Sequence, residues 1–198
     1  MRQHDPMQIR VATAADAPAL RCIYAPIVES TAISFEVEVP SVSEMTDRIL
    51  DRQPAYPWLV AEAAGSIIGY AYAGKFAPRA AYGWSVETSI YVSEKARGRG
   101  TGKTLYAALF EILTLQGYRC AMAGITLPNA PSVGLHEESG FSLVGVYRAV
   151  GWKLGSWHDV GWWEKVLRAP TGAPQATVPY TELPEGAVQA ALANAVKR

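Results

Sequence analysis

Residues 97–104 read Arg-Gly-Arg-Gly-Thr-Gly-Lys-Thr. Three glycines among basic and hydroxyl residues suit a loop that wraps an anion. Glycine lets backbone N–H groups approach a ligand, and a helix starting there adds the positive end of its dipole. A nucleoside-triphosphate loop would need glycine at position 97, which is Arg97, and an acidic strand end to hold magnesium, which does not follow. A dinucleotide loop would need its third glycine where Lys103 stands. What remains is Arg97, Gly98, Arg99, Gly100, Thr101, Gly102 and Lys103, carried between a strand and a long helix, with Arg97, Arg99 and Lys103 adding positive charge.

Other residues could move protons or bind charge. Glu87 is a lone carboxylate within the otherwise neutral stretch Trp84–Val92. Partial burial would raise its pKa and suit it to act as a base. An exposed strand-face carboxylate is the simpler alternative. His136 is a single imidazole on a helix, able to carry a proton near neutral pH or to fill a structural role. His158, beside Asp159, reads as structural in the last strands. Arg79 reads as an ordinary loop charge, although a guanidinium there could pair with an anionic group.

The elements that must position these groups follow from periodicity. Gln8–Thr13 reads as a first strand, and Thr13 with Asp16 resembles a capping box ahead of a helix buried through Leu20, Ile23, Tyr24, Ile27 and Val28. Ser41 and Glu44 form a second capping-box signal, opening a short helix with Met45, Ile49 and Leu50. Residues 58–74 suggest a hairpin turning at Gly65-Ser66. The stretch 83–92 reads as a strand with Trp84, Val86, Thr88, Ile90 and Val92 on one face and Ser85, Glu87, Ser89 and Tyr91 on the other. A helix buried through Leu105, Leu109, Ile112 and Leu113 follows and is closed by Gly117. A strand at 119–127, a helix entered through Asn129 and Pro131, and two final strands complete the order β-α-α-β-β-β-α-β-α-β-β. This is one mixed α/β domain. The region from Pro170 is rich in Pro, Gly and Thr and reads as a surface-hugging or flexible tail, with a marginal helical turn at 191–196.

Composition narrows the partners. The 198 residues suffice for one domain with a substantial core. Lys+Arg and Asp+Glu balance at 18 each, without the basic excess expected of a nucleic-acid binder. Cys22 and Cys120 read as two buried, reduced thiols. Neither a signal peptide nor a run of about 18 apolar residues is visible, so the expected compartment is the cytoplasm, without membrane or metal.

The loop resembles the pyrophosphate-binding loop of the GNAT superfamily of N-acetyltransferases. Asn129, followed by His136 and then Gly140-Phe141, fits the superfamily's next helix, where many members carry Tyr at the His136 position. The stretches YPWLVAE, AYAG, AYGWSVETSIYVS, ITLPNAPSVGLHE and GSWHDVGWW resemble the phosphinothricin N-acetyltransferases, a group that shades into enzymes acting on methionine sulfoximine and methionine sulfone. The resemblance runs from about Met7 to Leu167.

It implies a mostly antiparallel central sheet flanked by helices, with a GNAT domain over 7–168 and a C-terminal tail over 169–198. It also implies acetyl transfer from acetyl-coenzyme A to the α-amine of a small amino acid, in a homodimer. By resemblance, Glu87 is the base and His136 a second proton-transfer group. The loop residues Arg97–Lys103, the backbone of Ile90, Tyr91 and Val92, and Asn129 and Ser132 hold the cofactor. Phe35, Arg79, Tyr82, Glu87, Thr88 and Ser89 surround the substrate. Tyr106, Trp152, Trp157, Trp162 and Trp163 read as core or interface packing. A non-catalytic acyl-coenzyme-A-binding module is the alternative from another class, and the pairing of Glu87 with His136 argues against it.

Overall fold

The computed structural model describes residues 7–197; the first six residues, on which part of the signal-peptide reading falls, and Arg198 lie outside that range. In chain order the elements are β1 (Gln8–Val11), α1 (Ala17–Ser30), α2 (Val42–Arg52), β2 (Trp58–Ala63), β3 (Ser66–Lys75), β4 (Ser85–Val92), α3 (Thr101–Leu115), β5 (Cys120–Leu127), α4 (Ala130–Glu138), β6 (Ser142–Lys153), β7 (Ser156–Val166) and α5 (Glu185–Val196). The expected order holds, with α5 added at the end. Ser41 caps α2 as its sequence suggests: its Oγ accepts from Glu44 N at 3.1 Å, and Glu44 returns a carboxylate oxygen to Ser41 N at 2.6 Å. The first hairpin turns one residue earlier than expected, at Ala64 and Gly65, which both have positive φ.

The seven strands form one sheet in the order β1-β2-β3-β4-β5-β7-β6. Every neighbouring pair is antiparallel except β4 and β5. These two run parallel and pair only at Ser85–Cys120, Val86–Ala121 and Glu87–Met122. Beyond that point each strand continues, to Val92 and Leu127, keeping its other neighbour but not this one. The hydroxyl of Thr88 donates to Met122 O at 3.2 Å and pins the point where they part. The sheet therefore carries a cleft with Glu87 at its apex.

Each sheet face is covered by helices. On one, the stripe Leu105, Leu109, Ile112 and Leu113 of α3 is fully buried against Leu59, Ala71, Val86 and Ile125. On the other, Leu20, Tyr24 and Val28 of α1 and Met45 and Ile49 of α2 pack on Trp58, Val60 and Tyr70. Cys22 lies outside the α1 stripe and is exposed, which corrects the expectation of two buried thiols; Cys120 is buried.

The C-terminal region does more than follow the surface. Gln116, fully buried, donates to Ala55 O and Val178 O at 2.8 and 2.9 Å and ties the extended segment down. The chain then forms α5, which buries Val188, Ala191, Leu192 and Ala195 against α3 and β1. Small alanines give this helix little contrast between faces, so its burial depends on neighbours distant in sequence.

Candidate active site

The glycine loop leads directly into α3. Gly98 and Gly100 have φ of +70° and +83°, values that side-chain-bearing residues adopt with strain, and nothing stands within 4 Å of where a Cβ would be. Gly100 is the N-cap of α3, and its carbonyl accepts from Thr104 N at 3.0 Å. The amides of Thr101, Gly102 and Lys103 therefore have no acceptor within the helix and form a positively polarised rim. Gly102 is needed for packing as well: a Cβ there would stand 2.9 Å from Leu135 of α4. The loop's charges are differently disposed. Arg99 is exposed, Arg97 donates to Val92 O at 3.3 Å, and Lys103 pairs with Glu138 of α4 at 2.7 Å. The fit to a pyrophosphate thus rests first on backbone amides, with Lys103 held aside by its carboxylate.

Ile90, Tyr91 and Val92 form the free edge of β4 beside the cleft. Their outer backbone groups lost β5 as a partner at the point of divergence. Such an edge can hydrogen-bond an extended chain such as a pantetheine arm. Asn129 caps α4, its Oδ1 accepting from Ser132 N at 3.2 Å, so one of its polar atoms is already engaged.

Strand alternation assigns the remaining groups to faces. Glu87, Ser89 and Tyr91 pair across to Gly74, Tyr72 and Tyr70, and all six point to the α1/α2 side. Tyr91 stacks edge-on against Tyr24 of α1 at 4.9 Å, which confirms that side. Glu87 is partly buried. Burial pushes its carboxyl above the ordinary value for Glu, and the nearby Arg52 guanidinium partly opposes that rise.

His136 belongs to the other face. Its ring is buried, Nδ1 donates to Ser132 O at 2.7 Å, and Nε2 lies 2.8 Å from the Tyr106 hydroxyl. With Nδ1 carrying the proton, Nε2 accepts from Tyr106. Burial pulls the imidazole below its usual pKa, so the neutral form is favoured. Tyr106, read from sequence as packing, is fully buried and also in reach of the Thr88 side chain. The geometry gives His136 no open nitrogen for a substrate proton. It holds a tyrosine that touches the apex of the cleft.

The expected substrate residues are only partly assembled. Phe35, in the α1–α2 loop, lies over Gly151 and 6.3 Å from the His158 ring. Lys153 Nζ donates to Ser34 O at 2.6 Å, fastening the same loop to the β6–β7 hairpin. His158 is structural as expected, donating to Lys153 O at 2.9 Å, while Asp159 accepts from Ala149 N and Arg148. Tyr82 packs on Phe76, which packs on Trp162. Arg79 is exposed in the β3–β4 loop. Thr88 faces Tyr106, away from Ser89 and Glu87.

Sequence reasoning missed a polar cavity of about 290 Å³ on the α1/α2 face, lined by Glu36, Arg48, Arg52, Trp58, Tyr72 and their neighbours. Arg48 and Glu36 make a two-pronged ion pair at 2.8 and 3.0 Å. The only signal in the sequence was the helical spacing of Arg48 and Arg52, which ordinarily marks a solvated face.

Comparison with known proteins shows the family and the fold. Residues 9–162 match the model of the acetyltransferase (GNAT) domain. The chain is 42% identical to phosphinothricin N-acetyltransferase of Streptomyces viridochromogenes, covering 90% of this chain and 97% of that protein. It is 37% identical to the L-methionine sulfoximine/L-methionine sulfone acetyltransferase of Pseudomonas aeruginosa, over 84% and 98%. Its fold is similar to that of the Sinorhizobium meliloti phosphinothricin acetyltransferase in complex with acetyl-coenzyme A, with a TM-score of 0.80, 36% identity, and 88% and 98% of the two chains covered.

Proposed function

Because the chain belongs to the GNAT acetyltransferase family and is an acetyl-coenzyme-A-dependent acetyltransferase, we propose that it acetylates the α-amino group of phosphinothricin-like amino acids. The observation that carries this reading is the position of Glu87. It stands partly buried at the apex where β4 and β5 part, on the sheet face whose cavity offers cationic and aromatic groups.

Acetyl-coenzyme A supplies the acetyl group as a thioester. In our reading the amides of Gly100–Lys103 receive its pyrophosphate, with Arg97, Gly98 and Arg99 completing the loop. The free edge Ile90–Val92 aligns the pantetheine arm, with Asn129 and Ser132 across from it. Glu87, directly or through water, takes the proton that the amine must lose before attacking. A β4 amide donates to the carbonyl oxygen as negative charge develops there. Tyr106, whose hydroxyl donates to His136, lies fully buried on the opposite side of the apex, where it reaches Thr88 and holds the point at which the two strands part. Phe35, Tyr82, Thr88 and Ser89 border the substrate, and Arg79 pairs with an anionic group on its side chain.

Thiol release from acetyl-coenzyme A tests the proposal, with phosphinothricin, methionine sulfoximine, methionine sulfone and the common amino acids as acceptors. Fast release with phosphinothricin is the expected result. The Pseudomonas relative favours a second reading, in which the two methionine derivatives are the better acceptors. Silence with every amino acid would refute both.

The division into a catalytic domain over 7–168 and a tail over 169–198 belongs to the same proposal, as do a homodimer and a cytoplasmic location. The exposed Leu143, Tyr147, Val150, Trp152 and Trp157 on and beside the edge strand β6 support a self-associating face. Among the described residues no helix is long and apolar enough to cross a membrane.

A further inference from the structure

Arg52 ends α2, and its guanidinium leans over β3. It lies 4.9 Å above the ring of Tyr72, and a Cβ at Gly74 would stand 2.7 Å from its Nη1. Gly74 is the cross-strand partner of Glu87, so the bare glycine lets the cation settle beside that carboxylate. The neighbouring Arg48 is consumed by its ion pair with Glu36. Among the described residues Arg52 has no such pair and retains guanidinium N–H groups for a ligand. The wall beneath is aromatic: Trp58 stacks on Tyr72 at 4.2 Å, and the buried Trp58 Nε1 has no acceptor among the described residues.

We propose that Arg52 binds the α-carboxylate of the substrate and thereby presents its α-amine to Glu87. An α-amino acid carries its ammonium and carboxylate on one carbon, and a cation next to a carboxylate is the complementary pair. A guanidinium holds a carboxylate through two parallel hydrogen bonds and so fixes direction as well as position. Arg79 is left for the side-chain anion, which assigns one arginine to each acid group of a phosphinothricin-like substrate. This assignment rests on the amino-acid reading above.

The experiment compares wild type, Arg52→Leu, Arg52→Lys and Gly74→Ala on an accepted amino acid and on its α-carboxamide, which keeps the amine and loses the charge. In Arg52→Leu, kcat/KM for the acid is expected to fall about 10- to 100-fold, the range of a charged hydrogen-bonded contact. Its kcat/KM for the amide should stay within about threefold, and the KM for acetyl-coenzyme A should not move. Arg52→Lys should fall between, and Gly74→Ala should show the same acid-selective loss because its methyl takes the space of Nη1. Equal losses on acid and amide, or no loss on either, would overturn the assignment while leaving the acetyltransferase reading intact. Calorimetry with phosphinothricin separates the two failures: if wild type neither acetylates nor binds any α-amino acid, both readings fall together.

Discussion

Glu87 and His136 lie on opposite faces of the central sheet, although both were marked by sequence for proton transfer. Glu87 looks toward α1 and α2 with Tyr72 and Tyr91, whereas His136 bonds Tyr106 beneath α3, on the side of Thr88. The two are joined only across the cleft where β4 leaves β5. The Glu87 carboxylate and the Tyr106–His136 pair are thereby kept apart, one on each side of the cleft.

Replacing Glu87 by Gln should lower kcat by about 10²- to 10⁴-fold, the usual contribution of a general base. The acetyl-coenzyme A Kd, measured by calorimetry, should be unchanged. The same variant should be more stable than wild type at pH 8. Burial raises the folded-state pKa of Glu87, so its contribution to stability is present below the unfolded pKa and lost as pH rises through the folded one. A higher Tm for the variant at pH 8, narrowing toward pH 4, is the expected pattern. Undiminished turnover would remove Glu87 from the mechanism.

The acid limb of kcat/KM should fall above the ordinary Glu value of 4.5, because Glu87 must be ionised to act and burial holds its proton. Arg52 opposes that rise. Arg52→Leu should therefore shift the limb further toward neutral pH, as read from kcat/KM on the amide substrate, which lacks the carboxylate. A limb that does not move would separate Arg52 from the electrostatics of Glu87.

Tyr106→Phe leaves His136 Nε2 buried without a donor and should cost about 1–3 kcal/mol of stability, seen in urea titration. Activity should drop with little change in substrate KM, because Thr88, next to Glu87 on β4, loses its Tyr106 partner. A loss of stability with kcat unaltered would reduce the Tyr106–His136 pair to scaffold. Acid should weaken the fold through His136 too. Its depressed pKa gives stability that is present above about 6.5, the unfolded value, and lost as pH falls through the folded one.

Gly100→Ala places a Cβ on a residue with φ +83°, at a cost of about 1–2 kcal/mol if the loop keeps its shape. Acetyl-coenzyme A affinity should fall by about tenfold by calorimetry, and Gly100→Asp should fall further by adding charge repulsion to the phosphate. Normal affinity in both would refute the loop's assignment.

Leu192→Ala should destabilise the protein by about 2–5 kcal/mol in chemical denaturation, since Leu192 is buried against α3 and its loss leaves a cavity. Removing residues 169–197 should cost more. A truncated chain with an unaltered Tm would show that the tail merely rests on the domain.

Sequence periodicity and caps were enough to define the elements from β1 to β7, because buried stripes such as Leu105, Leu109, Ile112 and Leu113 repeat at the helical spacing whatever they pack against, whereas the alanine-rich α5 offered no such stripe. The glycine loop was equally visible, since positive φ at Gly98 and Gly100 is a local demand on residue type. Alternation along β4 even separated Glu87 from Thr88 before any neighbour was known. The tertiary structure decided what those groups meet. Only strand order reveals that β4 and β5 part after Glu87, as the pairing of two strands depends on residues far apart in sequence. The enclosure of His136 by Tyr106 and Ser132, the pairing of Lys103 with Glu138, and the approach of Arg52 to Gly74 likewise arise between distant segments. Residue type and spacing fix local geometry and the chemistry a side chain can offer; burial and partners, which set protonation and availability, are properties of the packed whole.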